Sequence, residues 1–240
     1  MTTDIEARAL KRVRKTRYVG LPTIRTMTDR IVARCERASA DQWAAGMSWY
    51  AAFGGVADAL AGRHGVTTRE AIGVLAVVSP RVSVGTSVAV ADEILRHWSD
   101  GSAERARWTV GRALPENVGR AVDYLQGDTA PLDLDVDGQS EARKVRSFAR
   151  NIDGCPDSVT VDTWACKAAG VDTDRVDQPR GGAYIAVAHA YRLAAKRLGI
   201  TPRECQAVAW CAERSDIDAA AELEALRVAL ESGDSLVAVA

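Results

Sequence analysis

Aromatic side chains are scarce in this chain: two Phe, five Tyr and six Trp among 240 residues. So few large rings leave the interior to be closed by smaller groups, and Ala and Val supply much of the apolar content. Small side chains let helices approach closely, so the composition predicts an all-α protein. Histidine is scarcer still. His64, His97 and His189 lie far apart without metal-ligand spacing, so no zinc or other metal site is expected. No apolar run reaches the roughly 18 residues that span a bilayer, and no signal-peptide pattern opens the chain. The expectation is a cytoplasmic protein with no membrane partner. Five cysteines (Cys35, Cys155, Cys166, Cys205 and Cys211), odd in number and irregularly spaced, are expected to be free thiols. Neither a P-loop nor a dinucleotide glycine pattern is present.

Charge is balanced overall, with a net of −1, but not along the chain. Residues 1–40 carry ten Lys/Arg against four Asp/Glu, a net of +6, while residues 213–240 carry two against seven, a net of −5. A near-neutral total therefore does not exclude DNA, whose phosphates need only a local basic face. The Lys11–Arg17 cluster is a candidate for such a face, or simply a solvated one.

Helix starts recur in the pattern. Ser39…Gln42, Thr67…Glu70 and Thr201…Glu204 each set a hydroxyl three residues before an acid or amide, the spacing of a capping box. Pro202 suits a first helical position. The expected helices are 4–15, 22–37, 41–62, 68–78, 84–98, 103–111, 115–126, 140–152, 161–169, 181–198, 202–214 and 217–232, with connections at 127–131 and 170–182. Ser158–Val161 is apolar but too short to start a sheet.

The segment Lys144–Trp164, KVRSFARNIDGCPDSVTVDTW, sets Lys144 and Asp162 eighteen positions apart, with a helical run first and an apolar run ending in Asp-Thr second. This resembles the catalytic segment of the helix-hairpin-helix DNA glycosylase superfamily. Residues 74–98 are similar to its early helix pair, 115–128 to the helix before the hairpin, and Leu132–Lys144 to the hairpin itself. The resemblance implies a two-lobed helical fold across a single unit, 1–240. Residues 65–130 would form the first lobe core, 131–170 the hairpin-helix and catalytic Asp segment, and 1–64 with 171–240 the packing helices. The spaced cysteine quartet that many glycosylases use for an iron–sulfur cluster is absent from the sequence, so no cluster is expected.

The chemistry needs such a pair. Breaking an N-glycosidic bond builds positive charge on the sugar, which a carboxylate stabilises, and a lysine with lowered pKa can attack C1′. Asp162 is thus the candidate electrostatic or general-base residue, or only a helix N-cap. Lys144 is the candidate nucleophile or amine-handling residue, or only an exposed lysine. The resemblance also fails in places. The hairpin glycines are reduced to Gly138, and Glu141 would repel phosphate, leaving Arg143, Lys144 and Arg146 to grip DNA. Where many glycosylases carry a stack-filling glutamine, this chain has Ser79-Pro80-Arg81. Arg81 there is either a bidentate anion ligand or a surface residue after an ordinary helix stop.

Trp49 and Tyr50 are candidates to stack a flipped base, against a core-packing alternative. Asn151 is a candidate substrate-orienting amide or a helix C-cap. Gln206 lies one turn from Trp210 and is a candidate substrate contact or a buried amide. Together these features are most similar to an actinobacterial and phage branch of the superfamily. A related branch, the phage thymine-hypermodification pyrophosphorylases, transfers an amine or amino acid onto a phosphorylated 5-hydroxymethyl-pyrimidine. The resemblance implies a DNA-modifying transferase without a cofactor, using an amine or amino acid as co-substrate in the host cytoplasm. The alternatives are a DNA N-glycosylase and a non-catalytic DNA-binding protein.

Overall fold

The computed structural model describes residues 21–127, 140–172, 182–214, 219–234 and 236. Outside them lie the expected helix 4–15, the Lys11–Arg17 cluster, most of the 127–131 and 170–182 connections, and the Gly138 stretch of the hairpin. Every long element among the described residues is an α-helix, and none is a strand. The eleven helices are α1 (Ile24–Glu36), α2 (Ala40–His64), α3 (Thr68–Val78), α4 (Val84–Ser99), α5 (Ala103–Thr109), α6 (Pro115–Leu125), α7 (Ser140–Ile152), α8 (Thr163–Ala168), α9 (Gly182–Leu198), α10 (Pro202–Arg214) and α11 (Ala219–Ser232).

Local chemistry explains where many of them begin. At α3 the Thr67 hydroxyl accepts the Glu70 N–H at 3.2 Å, and the Glu70 carboxylate accepts the Thr67 N–H at 2.7 Å. Ser39 with Gln42 and Thr201 with Glu204 make the same reciprocal pair, so all three capping boxes expected from spacing are present. Thr23 and Ser83 cap α1 and α4, and Pro115 opens α6. The expected 161–169 helix is shorter, Thr163–Ala168, because Val161 stays extended and Asp162 caps the helix from outside. No helix among the described residues is long and apolar enough to cross a membrane, and all five cysteines are free.

The chain divides into two compact units. The first comprises residues 1–50, 135–151 and 155–217, the second 51–134, 152–154 and 218–240. In the first, α1 packs on α9, while α10 packs on α9, α8 and α1. Its core joins Met27, Ile31, Val161, Tyr191 and Val208 to a run of alanines on α9, Ala186, Ala190 and Ala194. Small side chains on that helix admit its neighbours closely, as the composition predicts.

The second unit is built around α3, which packs on α4 and α6. Ala71 to Val78 are all buried, so this helix is apolar on every side and forms the unit's centre. Ser79 ends α3, and its hydroxyl donates to the Ala76 carbonyl at 3.0 Å. Two residues later Arg81 adopts φ +66°, the sole non-glycine in the left-handed region among the described residues. That conformation costs an L-residue about 1–2 kcal/mol, of which glycine's greater unfolded-state freedom would return about 0.5–1 kcal/mol. Arg81→Gly is therefore expected to raise the melting temperature by roughly 1–4 °C. A lower melting temperature would mean that the arginine side chain itself supports the turn.

Candidate functional site

The site is built on the connection between α7 and α8. After Ile152 the chain turns through Gly154, whose φ of +91° suits a residue without Cβ. It then runs extended through Ser158, Val159, Thr160 and Val161, all buried. A buried extended segment with no strand beside it must find partners for its backbone elsewhere. Tyr184 on α9 supplies them. Its hydroxyl accepts the Val161 N–H at 3.2 Å and lies 3.0 Å from both the Val159 carbonyl and Ser147 Oγ on α7. Ser158 Oγ donates to the Ser147 carbonyl at 3.1 Å. The segment is thereby clamped, and it delivers Asp162 to the start of α8.

Asp162 caps that helix: Oδ1 accepts the Ala165 N–H at 2.7 Å. Its carboxyl keeps partial solvent access but is packed deeply among protein atoms. Loss of water raises its pKa above the ordinary aspartate value. The Ala165 N–H, the positive charge of Lys144 and the nearby backbone N–H groups oppose that rise without cancelling it. Lys144 is half-buried on α7, and its charge acts on Asp162 through space.

The sign of the linkage follows. A carboxyl whose folded pKa is raised holds its proton more tightly in the native than in the unfolded chain. Its contribution to stability is therefore greatest below the ordinary aspartate pKa and is lost as pH rises through the folded value. Asp162→Asn keeps an N-cap acceptor and removes the titration. It is expected to flatten the fall in urea-unfolding free energy just above pH 4, a range set by the ordinary aspartate pKa. An unchanged slope would mean that Asp162 titrates normally.

Around the carboxyl stand buried polar groups. Tyr50 on α2 donates to Gln206 Oε1 on α10 at 2.5 Å. Burial raises the Tyr50 pKa, Thr160 and Asn151 oppose the rise by hydrogen bonding, and the charge of Asp162 adds to it. Tyr184 and Tyr191 are raised by burial too, and the charge of Asp162 adds to each rise. The Cys166 thiol is pushed up to about 12, chiefly by burial, which removes it as a thiolate nucleophile. Asn151, 0% exposed, donates through Nδ2 to Thr160 Oγ1 at 3.0 Å, while its Oδ1 is buried without a partner. Its side chain therefore does not cap α7.

The structure corrects one expectation. Trp49 and Tyr50 are 5% and 4% exposed, so neither ring presents a surface for a flipped base. Trp49 stacks on Trp210 at 4.6 Å, and Tyr50 meets Phe148 edge-on at 6.2 Å. Both are core residues, and Tyr50 makes a hydrogen bond to Gln206. Arg143 and Arg146 are half-buried on α7 with Lys144, and Arg146 acts electrostatically on Tyr184. Ser79 and Arg81 belong to the second unit.

Sequence reasoning missed an aromatic–cation ladder in the first unit. The Arg214 guanidinium lies 4.6 Å from the Trp210 ring centre and 6.0 Å from that of Trp164, and Lys167 Nζ lies 5.0 Å from Trp164. Glu213 ties Lys167 at 3.1 Å to Arg34 at 2.8 Å. A signal existed. Gln206, Trp210 and Arg214 follow at four-residue intervals and so share one helix face, while Trp164 is the second residue after Asp162. Among the described residues no cluster of His, Cys, Asp and Glu is placed to hold a metal ion.

A family profile matches residues 15–217, which contain every residue of this site. The chain belongs to DUF7178, a family of unknown function. The matched span takes in α1 to α10, hence both units' central helices, and stops before α11. No curated protein and no solved structure matches the chain.

Proposed function

We propose that the protein is a DNA-base-directed enzyme in which Asp162 accepts a proton from the attacking nucleophile. Its reaction is transfer of an amine or amino acid onto a pyrophosphorylated 5-hydroxymethyl-pyrimidine in DNA. The amine nitrogen attacks the exocyclic methylene carbon, the carbon–oxygen bond breaks, and pyrophosphate leaves with the electron pair. The proton released from nitrogen goes to the Asp162 carboxylate.

The observation that carries this reading is the half-buried carboxyl of Asp162, fixed by the Ala165 N–H, with the charge of Lys144 acting on it. Desolvation makes it a stronger proton acceptor than an ordinary aspartate, which proton removal requires. Stabilising a sugar cation needs only the negative charge. Excision of a base remains the second reading because Lys144 stands within electrostatic reach of Asp162. In that case the N-glycosidic bond breaks with its electrons on the base, and water or the Lys144 amine adds to C1′. The glycosylase-like two-lobed fold belongs to the same proposal.

The test is to incubate the protein with DNA carrying thymine, 5-hydroxymethyl-uracil or its pyrophosphorylated form, with and without amino acids. Nucleoside mass spectrometry is expected to show a heavier nucleoside only where pyrophosphorylated base and amino acid are both present. A free base, or a borohydride-trapped adduct at Lys144, would replace transfer by excision. No product, together with unchanged DNA, would contradict both.

A further inference from the structure

The second unit displays one tryptophan almost wholly in solvent. Trp108 is 87% exposed, whereas the other exposed large hydrophobic residues, Met47, Leu193 and Val228, reach 37%, 36% and 48%. Looseness of its helix does not explain this. On α5 the Arg107 guanidinium donates to the Gly119 carbonyl at 3.0 Å and to Glu104 at 2.9 Å, and it pairs with Asp123. Thr109 Oγ1 lies 3.2 Å from His97 Nε2, and Ala106 and Val110 are buried beneath the helix. The ring is therefore projected from an anchored base.

Its surroundings select the partner. Glu104, Arg105, Thr109, Gly111 and Arg112 are exposed around it, and none is a large apolar group. A protein hot spot or a membrane contact needs further apolar area beside the ring. An exposed ring with an exposed arginine one turn before it on the same helix suits a base, whose π-face stacks on it while a phosphate meets the cation. Arg105 lies one turn before Trp108 on α5, and Arg112 lies four residues beyond it. Arg107 is already engaged by Asp123 and Glu104, which leaves Arg105 on α5 and Arg112 in the bend after it as the exposed basic residues within four positions of Trp108.

We infer that Trp108, with Arg105 and Arg112, is a docking element for single-stranded nucleic acid that stacks on an unpaired base. The inference rests on the DNA-directed reading for the identity of the partner. It adds a second contact on a unit for which that reading names no reacting group.

Fluorescence anisotropy of a labelled thymidine oligonucleotide tests it with wild-type protein and with the Trp108→Ala, Trp108→Phe and Arg105→Gln/Arg112→Gln variants. Trp108→Ala is expected to weaken binding about tenfold and Trp108→Phe less, in line with a single stacking contact. The double arginine variant is expected to reduce the slope of log K against log salt by about 1.4, the value for two phosphates on a single strand. Melting of Trp108→Ala is expected to be unchanged, since so exposed a ring supports little packing. Wild-type binding that Trp108→Ala does not weaken would overturn this element and leave the DNA-directed reading standing. Absence of oligonucleotide binding by the wild type would overturn both.

Discussion

Gly46→Ala is expected to lower the melting temperature by roughly 5–10 °C, from an overpacking cost of about 2–3 kcal/mol. A Cβ at position 46 would lie 2.5 Å from Val208 Cα and 2.6 Å from Val208 N. These are backbone atoms of α10 and cannot turn aside as a flexible side chain can. One of the two helices must move. The same contact sets the register of α2 against α10. Trp49 and Tyr50 follow Gly46 by three and four residues, and they meet Trp210 and Gln206, which flank Val208 by two residues on either side. Displacing the crossing should therefore lengthen the 2.5 Å bond between Tyr50 and Gln206 as well. Gly62 on the same helix supplies the control. Nothing lies within 4 Å of its Cβ position, so Gly62→Ala is expected to stabilise the helix by about 0.5–1 kcal/mol. Thermal melts followed by circular dichroism should show opposite signs at the two glycines. Equal effects would mean that α2 and α10 are not in backbone contact.

Asp162→Asn is expected to reduce product formation by about 10²–10⁴-fold, the range for removing a positioned general base. Asparagine still accepts a hydrogen bond at the N-cap, so this change leaves the Ala165 contact available and the fold intact. Lys144→Ala is expected to have a different effect under the transfer reading. It removes a charge that favours ionised Asp162, and so should shift the pH dependence of the reaction upward more than it lowers the maximum rate. Loss of all turnover in Lys144→Ala at every pH would instead make the lysine the attacking group. Discontinuous sampling with nucleoside mass spectrometry measures both.

The helices and their starts were legible because their causes are local. Thr67 and Glu70, or Thr201 and Glu204, stand three residues apart in sequence and bond each other in the fold. The placing of Lys144 on one helix and of Asp162 as the cap of the next was also legible, through the interval between them. What the sequence hid depends on distant partners. The extended Ser158–Val161 segment is held by Tyr184, more than twenty residues further along, and no local pattern announces that bond. Trp49 and Tyr50 read first as core residues and second as base-stacking ones, and the approach of α10 at Gly46 decides for the core. Arg81 gave no sign of its left-handed backbone, because arginine rarely adopts it. The anchored exposure of Trp108 was equally hidden. A tryptophan in a short helix is ordinarily expected to be covered.

The pH dependence of the single-turnover rate, on DNA bearing the pyrophosphorylated pyrimidine with amine in excess, tests the role of Asp162 most directly. The account predicts a rate that rises with pH through an inflection above the ordinary carboxylate range. That inflection should vanish in Asp162→Asn. An inflection that persists in Asp162→Asn, or a wild-type rate that the substitution does not lower, would contradict it.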